Sequence, residues 1–197
     1  HFRQMSFEAS DRIPLQGPVL MVVSHANPVD LFFCLALMEH IGRSDCRFVV
    51  SADMLERSRF RRFTQVALRD AHPRMGILAT LAAQVGARLV PGIMRQVDII
   101  PIYREGDDSD SRQQVLDSLM AGKIITIAPE RGNDSNRDAS GLRPLTHGVA
   151  SIARQFFEQT RNPLSIVPVA LTDPTRPFWG QVRVRVGQPY AGMSDAH

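Results

Sequence analysis

Short apolar runs rich in β-branched residues recur along this chain, and segments of helical character separate them. "GPVLMVVS" (17–24), "CRFVVS" (46–51), "VDIIPIYR" (97–104), "KIITIAP" (123–129) and "LSIVPVALT" (164–172) have the length of buried strands rather than of helices. After the first run, Asn27 as N-cap and Pro28 at the first helical position predict a helix to about Ile41, stopping near Gly42. Residues 52–70 read as a basic helix, 74–88 as an apolar one, 108–122 as an amphipathic one closing at Gly122, and 144–160 as another. Pro101 predicts an edge position or a bulge for its strand. "GQVRVRVGQPY" (180–190) alternates and predicts an exposed strand. Strands alternating with helices predict a layered α/β fold. With 197 residues, no internal repeat and no long linker, one domain over 1–197 is expected. The first residue is His1, so a segment of a longer chain, and a missing N-terminal anchor, stay open.

A net charge of +3 suits an anionic partner without choosing among lipid phosphate, coenzyme A and nucleic acid. Cys34 and Cys46 lie inside apolar stretches, at no zinc-like spacing, so no metal is expected and a reducing compartment is the default. No apolar run reaches the roughly 18 residues of a spanning helix. The N-terminus carries no signal-peptide pattern.

The first apolar run stops at Ser24 and is followed by His25, Asn27, Pro28 and Asp30. His25 falls at the carboxyl end of a strand, where α/β folds gather ligands. Asp30 falls in the first turn of the next helix. A carboxylate bonded to one imidazole nitrogen fixes the tautomer and stabilises the imidazolium, which leaves the other nitrogen to take a proton from an alcohol. The nucleophile would then be a substrate hydroxyl. The alternative is an Asp that caps its own helix beside an unrelated histidine, since Asp suits a helix N-terminus for dipole reasons. No G-x-S-x-G elbow, phosphate loop or dinucleotide fingerprint is present.

"SHANPVD" resembles the first motif of the glycerolipid acyltransferases of the lysophosphatidic acid type, in which four residues separate His from Asp. "VDIIPIYR" resembles their second motif, a strand closing on an arginine, here Arg104. "ITIAPERGNDSNRDASGLRPLTHGVASIA" is similar to the third, and "LSIVPVAL", with Pro168, to the fourth. The third motif departs from the usual Glu-Gly-Thr-Arg, reading Glu130, Arg131, Gly132, Asn133. Pro144, Leu145 and Thr146 stand where Pro-Phe-Lys is common.

The resemblance implies a mixed central sheet flanked by helices and an O-acyltransferase activity. His25 would be the general base and Asp30 its orienting carboxylate. Arg104, Glu130, Arg131 and Gly132 would bind substrate, the arginines holding acceptor phosphate. The donor would be acyl-coenzyme A or acyl carrier protein, the acceptor a glycerol-phosphate or a lysophospholipid, with no metal or redox cofactor. Two alternatives stay open: a thioester hydrolase using the same His–Asp pair, and a non-catalytic lipid-binding domain. "ERSRFRRF" (56–63) interleaves Arg57, Arg59, Arg61 and Arg62 with Phe60 and Phe63, and suits either an anionic membrane or a solvated helix face. A peripheral enzyme on the cytoplasmic side of a membrane, with no nucleic-acid partner, is the expectation.

Overall fold

The computed structural model describes residues 4–24, 30–71, 76–103, 108–129, 147–172 and 181–192. Its strands are β1 (Gln4–Glu8), β2 (Val19–Val23), β3 (Cys46–Ser51), β4 (Ile99–Ile102), β5 (Ile124–Ile127), β6 (Leu164–Thr172), β7 (Gln181–Val186) and β8 (Tyr190–Gly192). Its α-helices are α1 (Asp30–Ile41), α2 (Arg57–Ala71), α3 (Gly76–Met94), α4 (Ser109–Met120) and α5 (Gly148–Thr160). This is the layered α/β fold that the alternation of runs predicts, with the mixed central sheet and flanking helices that the resemblance implies. The chain forms two compact units, His1–Arg47 with Arg112–His197, and Phe48–Ser111.

In the larger unit the strand order is β1-β7-β6-β2-β5, with β8 also paired to β6. β2 runs parallel to both β5 and β6. A strand with parallel neighbours on both edges and layers on both faces must be apolar throughout. Val19, Leu20, Met21 and Val23 are accordingly buried, as are Ile124, Ile125 and Ile127 of β5. β6 bonds β7 antiparallel through Val169–Thr172 and β8 antiparallel through Leu164–Ile166. Between them, the carbonyl of Pro168 accepts the Gly187 N–H at 2.8 Å. Pro168, which has no N–H to donate, therefore sits where the ladder passes from one partner strand to the other. That is how a central strand accommodates a proline.

α1 and α4 end alike. Gly42 (φ +73) donates to the Glu39 carbonyl and Arg43 to that of Met38. Gly122 (φ +79) donates to that of Leu119 and Lys123 to that of Ser118. This paired closure needs a left-handed residue, which glycine adopts without strain. It turns each helix into the strand that follows.

The smaller unit holds β3 and β4, which run parallel, and the α2–α3 pair. Among the described residues β4 pairs with β3 alone and carries Pro101, the edge position its proline predicts.

Three expectations differ from the structure, and one strand was not expected. The segment 52–70 opens with a 3₁₀ turn, Ala52–Met54, capped by the Ser51 hydroxyl, and α2 starts at Arg57. α3 continues through Pro91 to Met94 rather than ending near residue 88. β7 is half buried, with Val182, Val184 and Val186 fully inside and Arg183 and Arg185 outside, and it is paired on both edges by β1 and β6. β1 was not legible at all and lies parallel to β7.

Candidate active site

β2, β5 and β6 are parallel, so their carboxyl ends leave the sheet at one edge. The chain leaving β2 passes through α1 to reach the far side of β5, where the Asp45 carbonyl accepts the Ile124 N–H at 3.2 Å. The chain leaving β5 passes through α5 to β6, on the other side of β2. Right-handed crossovers that set out in opposite directions carry their helices to opposite faces. Such a reversal opens a crevice at the carboxyl ends of the two strands, the usual ligand position in open α/β sheets. The β2 and β5 exits flank this reversal.

The β2 exit is fixed by Ser24. Its N–H donates to the Val169 carbonyl at 3.0 Å, and its hydroxyl accepts the Leu171 N–H at 3.2 Å. The side chain thus extends the β2–β6 ladder by one bond and sets the direction in which the chain departs. His25 is the next residue in sequence and lies outside the described residues. Asp30 is the first residue of α1, a helix of 12 residues.

The β5 strand ends at Ile127 and is followed by Ala128 and Pro129. Glu130, Arg131 and Gly132 come next in sequence and lie outside the described residues. The structure therefore brings side by side the two strand exits from which the sequence continues into His25 and into Glu130. Arg104 also lies outside the described residues and follows β4, a strand of the smaller unit. There the Tyr103 N–H donates to Asp108 Oδ1 at 3.1 Å, which ties together the two ends of the segment 104–107.

At the opposite, amino edge of the larger unit is a cation that no sequence pattern marked. Arg43 is buried, and all its N–H donors are used. Nε and Nη2 bond Asp45 Oδ1 and Oδ2 at 2.9 and 2.6 Å, Nη1 bonds the carbonyls of Pro14 and Gly17, and Nη2 also bonds that of Gly122. Those carbonyls precede β2 and β5, and Asp45 precedes β3. The guanidinium beside Asp45 holds its carboxyl below the usual carboxylate range, against a smaller opposing effect of burial. Arg43 is structural: it aligns the entries of the strands whose exits lie side by side.

The family model for acyltransferases matches residues 63–172. That stretch includes Arg104 and Glu130–Gly132 and begins after His25 and Asp30. No curated protein matches the chain. Among solved structures, the chain is similar to the crystal structure of the 1-acyl-sn-glycerophosphate (LPA) acyltransferase PlsC from Thermotoga maritima. The TM-score is 0.54 at 14% identity, over 98% of this chain and 64% of that one, so this chain spans just under two thirds of that protein's length. The likeness shows a shared fold. The family match covers more than half of the 197 residues and ends with β6, the strand beside the β2 exit, and on that ground the chain belongs to the acyltransferase family.

Proposed function

We propose that this chain transfers a fatty acyl group from acyl-coenzyme A or acyl carrier protein to the hydroxyl of a glycerol-phosphate or lysophospholipid acceptor. The observation that carries the reading is the adjacency of the β2 and β5 exits at the reversal of the sheet, in a chain of the acyltransferase family. The name of the Thermotoga maritima protein, with its acylglycerophosphate acceptor, supports the acceptor class.

In this mechanism His25 removes the proton from the acceptor hydroxyl, and Asp30 orients the ring and stabilises the imidazolium. The oxygen attacks the thioester carbonyl. The tetrahedral intermediate collapses, the carbon–sulfur bond breaks, and the imidazolium returns its proton to the departing thiolate. The reaction needs no redox step. Arg104 and Arg131 hold acceptor phosphate, while Glu130 and Gly132 position it. The enzyme works from the cytoplasmic face of a membrane, touching it peripherally through Arg59, Arg61 and Arg62 of α2. Among the described residues no helix is long and apolar enough to cross a membrane.

The test is mass spectrometry of products formed from mixed acyl thioesters, with and without mixed acceptors. New acyl esters that appear only with an acceptor support transfer. Free fatty acid released at the same rate with or without acceptor would replace it with hydrolysis.

A further inference from the structure

α2 and α3 pack on each other, with Phe60 buried and its ring 3.2 Å from the position a Cβ would take at Gly86. Along one side of this pair runs a cleft of about 800 Å³, lined by Arg57, Arg59, Arg61 and Arg62 of α2 and by Gln84 and Arg88 of α3. Arg59 is engaged by Glu56 at 2.9 Å and by Asp53 at 3.5 Å. Among the described residues, Arg57, Arg61, Arg62 and Arg88 have no acidic partner, and all four are exposed. Four uncompensated guanidinium groups along one cleft attract phosphate.

The second observation is apolar. Leu81, Val85 and Leu89 of α3 are 51%, 56% and 59% exposed. They stand four residues apart and therefore form one ridge along one helix face. The face of α3 that carries Ala87, Pro91 and Met94 is the buried one. Helical spacing puts Arg88 and Gln84 between the ridge and the cleft. Single exposed apolar residues are ordinary, but a row of large ones beside a basic cleft marks an interaction surface.

We infer that the α2–α3 pair docks on an anionic phospholipid bilayer, with the Leu81–Val85–Leu89 ridge inserted among the acyl chains and Arg57, Arg61, Arg62 and Arg88 on lipid phosphates. A soluble polyanion would engage the arginines and leave the ridge in water. A bilayer offers phosphate and hydrocarbon at adjacent depths, which is the order in which these residues lie. The inference rests on the peripheral membrane contact proposed above and extends it from surface attraction to insertion.

The experiment uses the whole chain and sedimentation with vesicles of phosphatidylcholine alone or mixed with phosphatidylglycerol. Wild type is expected to sediment with the anionic vesicles. Leu81→Gln/Val85→Gln/Leu89→Gln, with unchanged far-ultraviolet circular dichroism, is expected to lose about tenfold or more in partitioning. The sequence has one tryptophan, Trp179. In a Trp179→Phe background, the indole introduced by Val85→Trp should shift its emission to the blue on binding and be quenched by brominated acyl chains. Equal binding by the ridge variant, or an indole that reports only water, overturns insertion and leaves a surface contact standing. A wild type that ignores both vesicle types overturns the peripheral contact as well. A wild-type dimer that the ridge variant splits, with no vesicle binding, assigns the ridge to a second copy of the chain and overturns the inference.

Discussion

Arg43 grips Asp45 at two points, Nε to Oδ1 at 2.9 Å and Nη2 to Oδ2 at 2.6 Å, while its remaining donors reach the carbonyls of Pro14, Gly17 and Gly122. One buried side chain thus joins three strand entries. Removing it leaves a carboxylate and three carbonyls short of donors. Arg43→Ala should cost about 1–3 kcal/mol, because it leaves the three carbonyls without their donor, while water reaches the part-exposed Asp45 carboxylate. Arg43→Lys keeps the charge but offers three donors and no planar fork, so it should recover only a minor part. Urea unfolding of both variants measures this. A lysine variant as stable as wild type would show that charge alone suffices.

The same pair sets an acid limit. The Asp45 carboxyl titrates below its ordinary value because Arg43 hydrogen-bonds its charged form. A depressed folded value stabilises the protein above the ordinary carboxylate pKa of about 3.9, and that contribution disappears as pH falls through the folded value. Thermal stability should therefore decline on acidification below about pH 4, and Asp45→Asn should flatten that part of the profile. Unfolding midpoints across acidic pH, wild type against variant, decide it. The Asp45 side chain is 42% exposed, so solvent screens the pair and the effect is modest.

Gly187 fits against Pro168 with no room for a methyl group. A Cβ there would lie 2.7 Å from the proline Cγ, an atom of a stiff ring. Gly187→Ala should destabilise by about 1–3 kcal/mol through overpacking. Pro168→Ala in the same protein should relieve much of that cost, so the double variant should be less than additive. Unfolding midpoints that simply add would place the strain elsewhere.

These two sites mark what the sequence leaves unreadable. β2, β3, β5 and β6 were legible because a buried parallel strand is a short, uninterrupted apolar run bounded by polar turns. Gly42 and Gly122 were legible as helix ends by the same local logic. Arg43 was not, since three of its five acceptors are backbone carbonyls in other segments of the chain, and a lone arginine after a helix has no pattern. α3 outran its expected end because Pro91 removes a single helical bond in a segment whose buried face, Ala87 to Met94, continues past it. The alternation along β7 predicts an exposed strand because it does not report what covers its apolar face. At the site, the sequence indicates which strand ends carry chemistry-bearing residues. Only topology puts the β2 and β5 exits beside each other, because the strands are far apart in sequence.

Arg104 follows an apolar strand, where its charge must meet a partner or water. Arg104→Ala should raise KM for a phosphate-bearing acceptor by about tenfold or more and leave KM for the thioester nearly unchanged, because a charge-assisted phosphate contact contributes about 1.5–3 kcal/mol. Steady-state kinetics with each substrate varied in turn measures this. Equal effects on both constants would make the arginine structural.

In the proposed reaction His25 and Asp30 act as one catalytic unit. General-base catalysis contributes about 10²–10⁴-fold, so His25→Ala should lose activity on that scale. Asp30→Asn should lose a large share of it although the side chain is nearly isosteric, because the amide no longer stabilises the imidazolium. Residues that act together are not additive, so the double variant should be little slower than His25→Ala alone. Asp30 as a helix cap predicts otherwise, since Asn caps about as well as Asp. The decisive measurement is acyl transfer by Asp30→Asn alongside its thermal unfolding: a folded, wild-type-stable protein with severely reduced turnover is expected, and a stable Asp30→Asn protein with full activity would end the dyad.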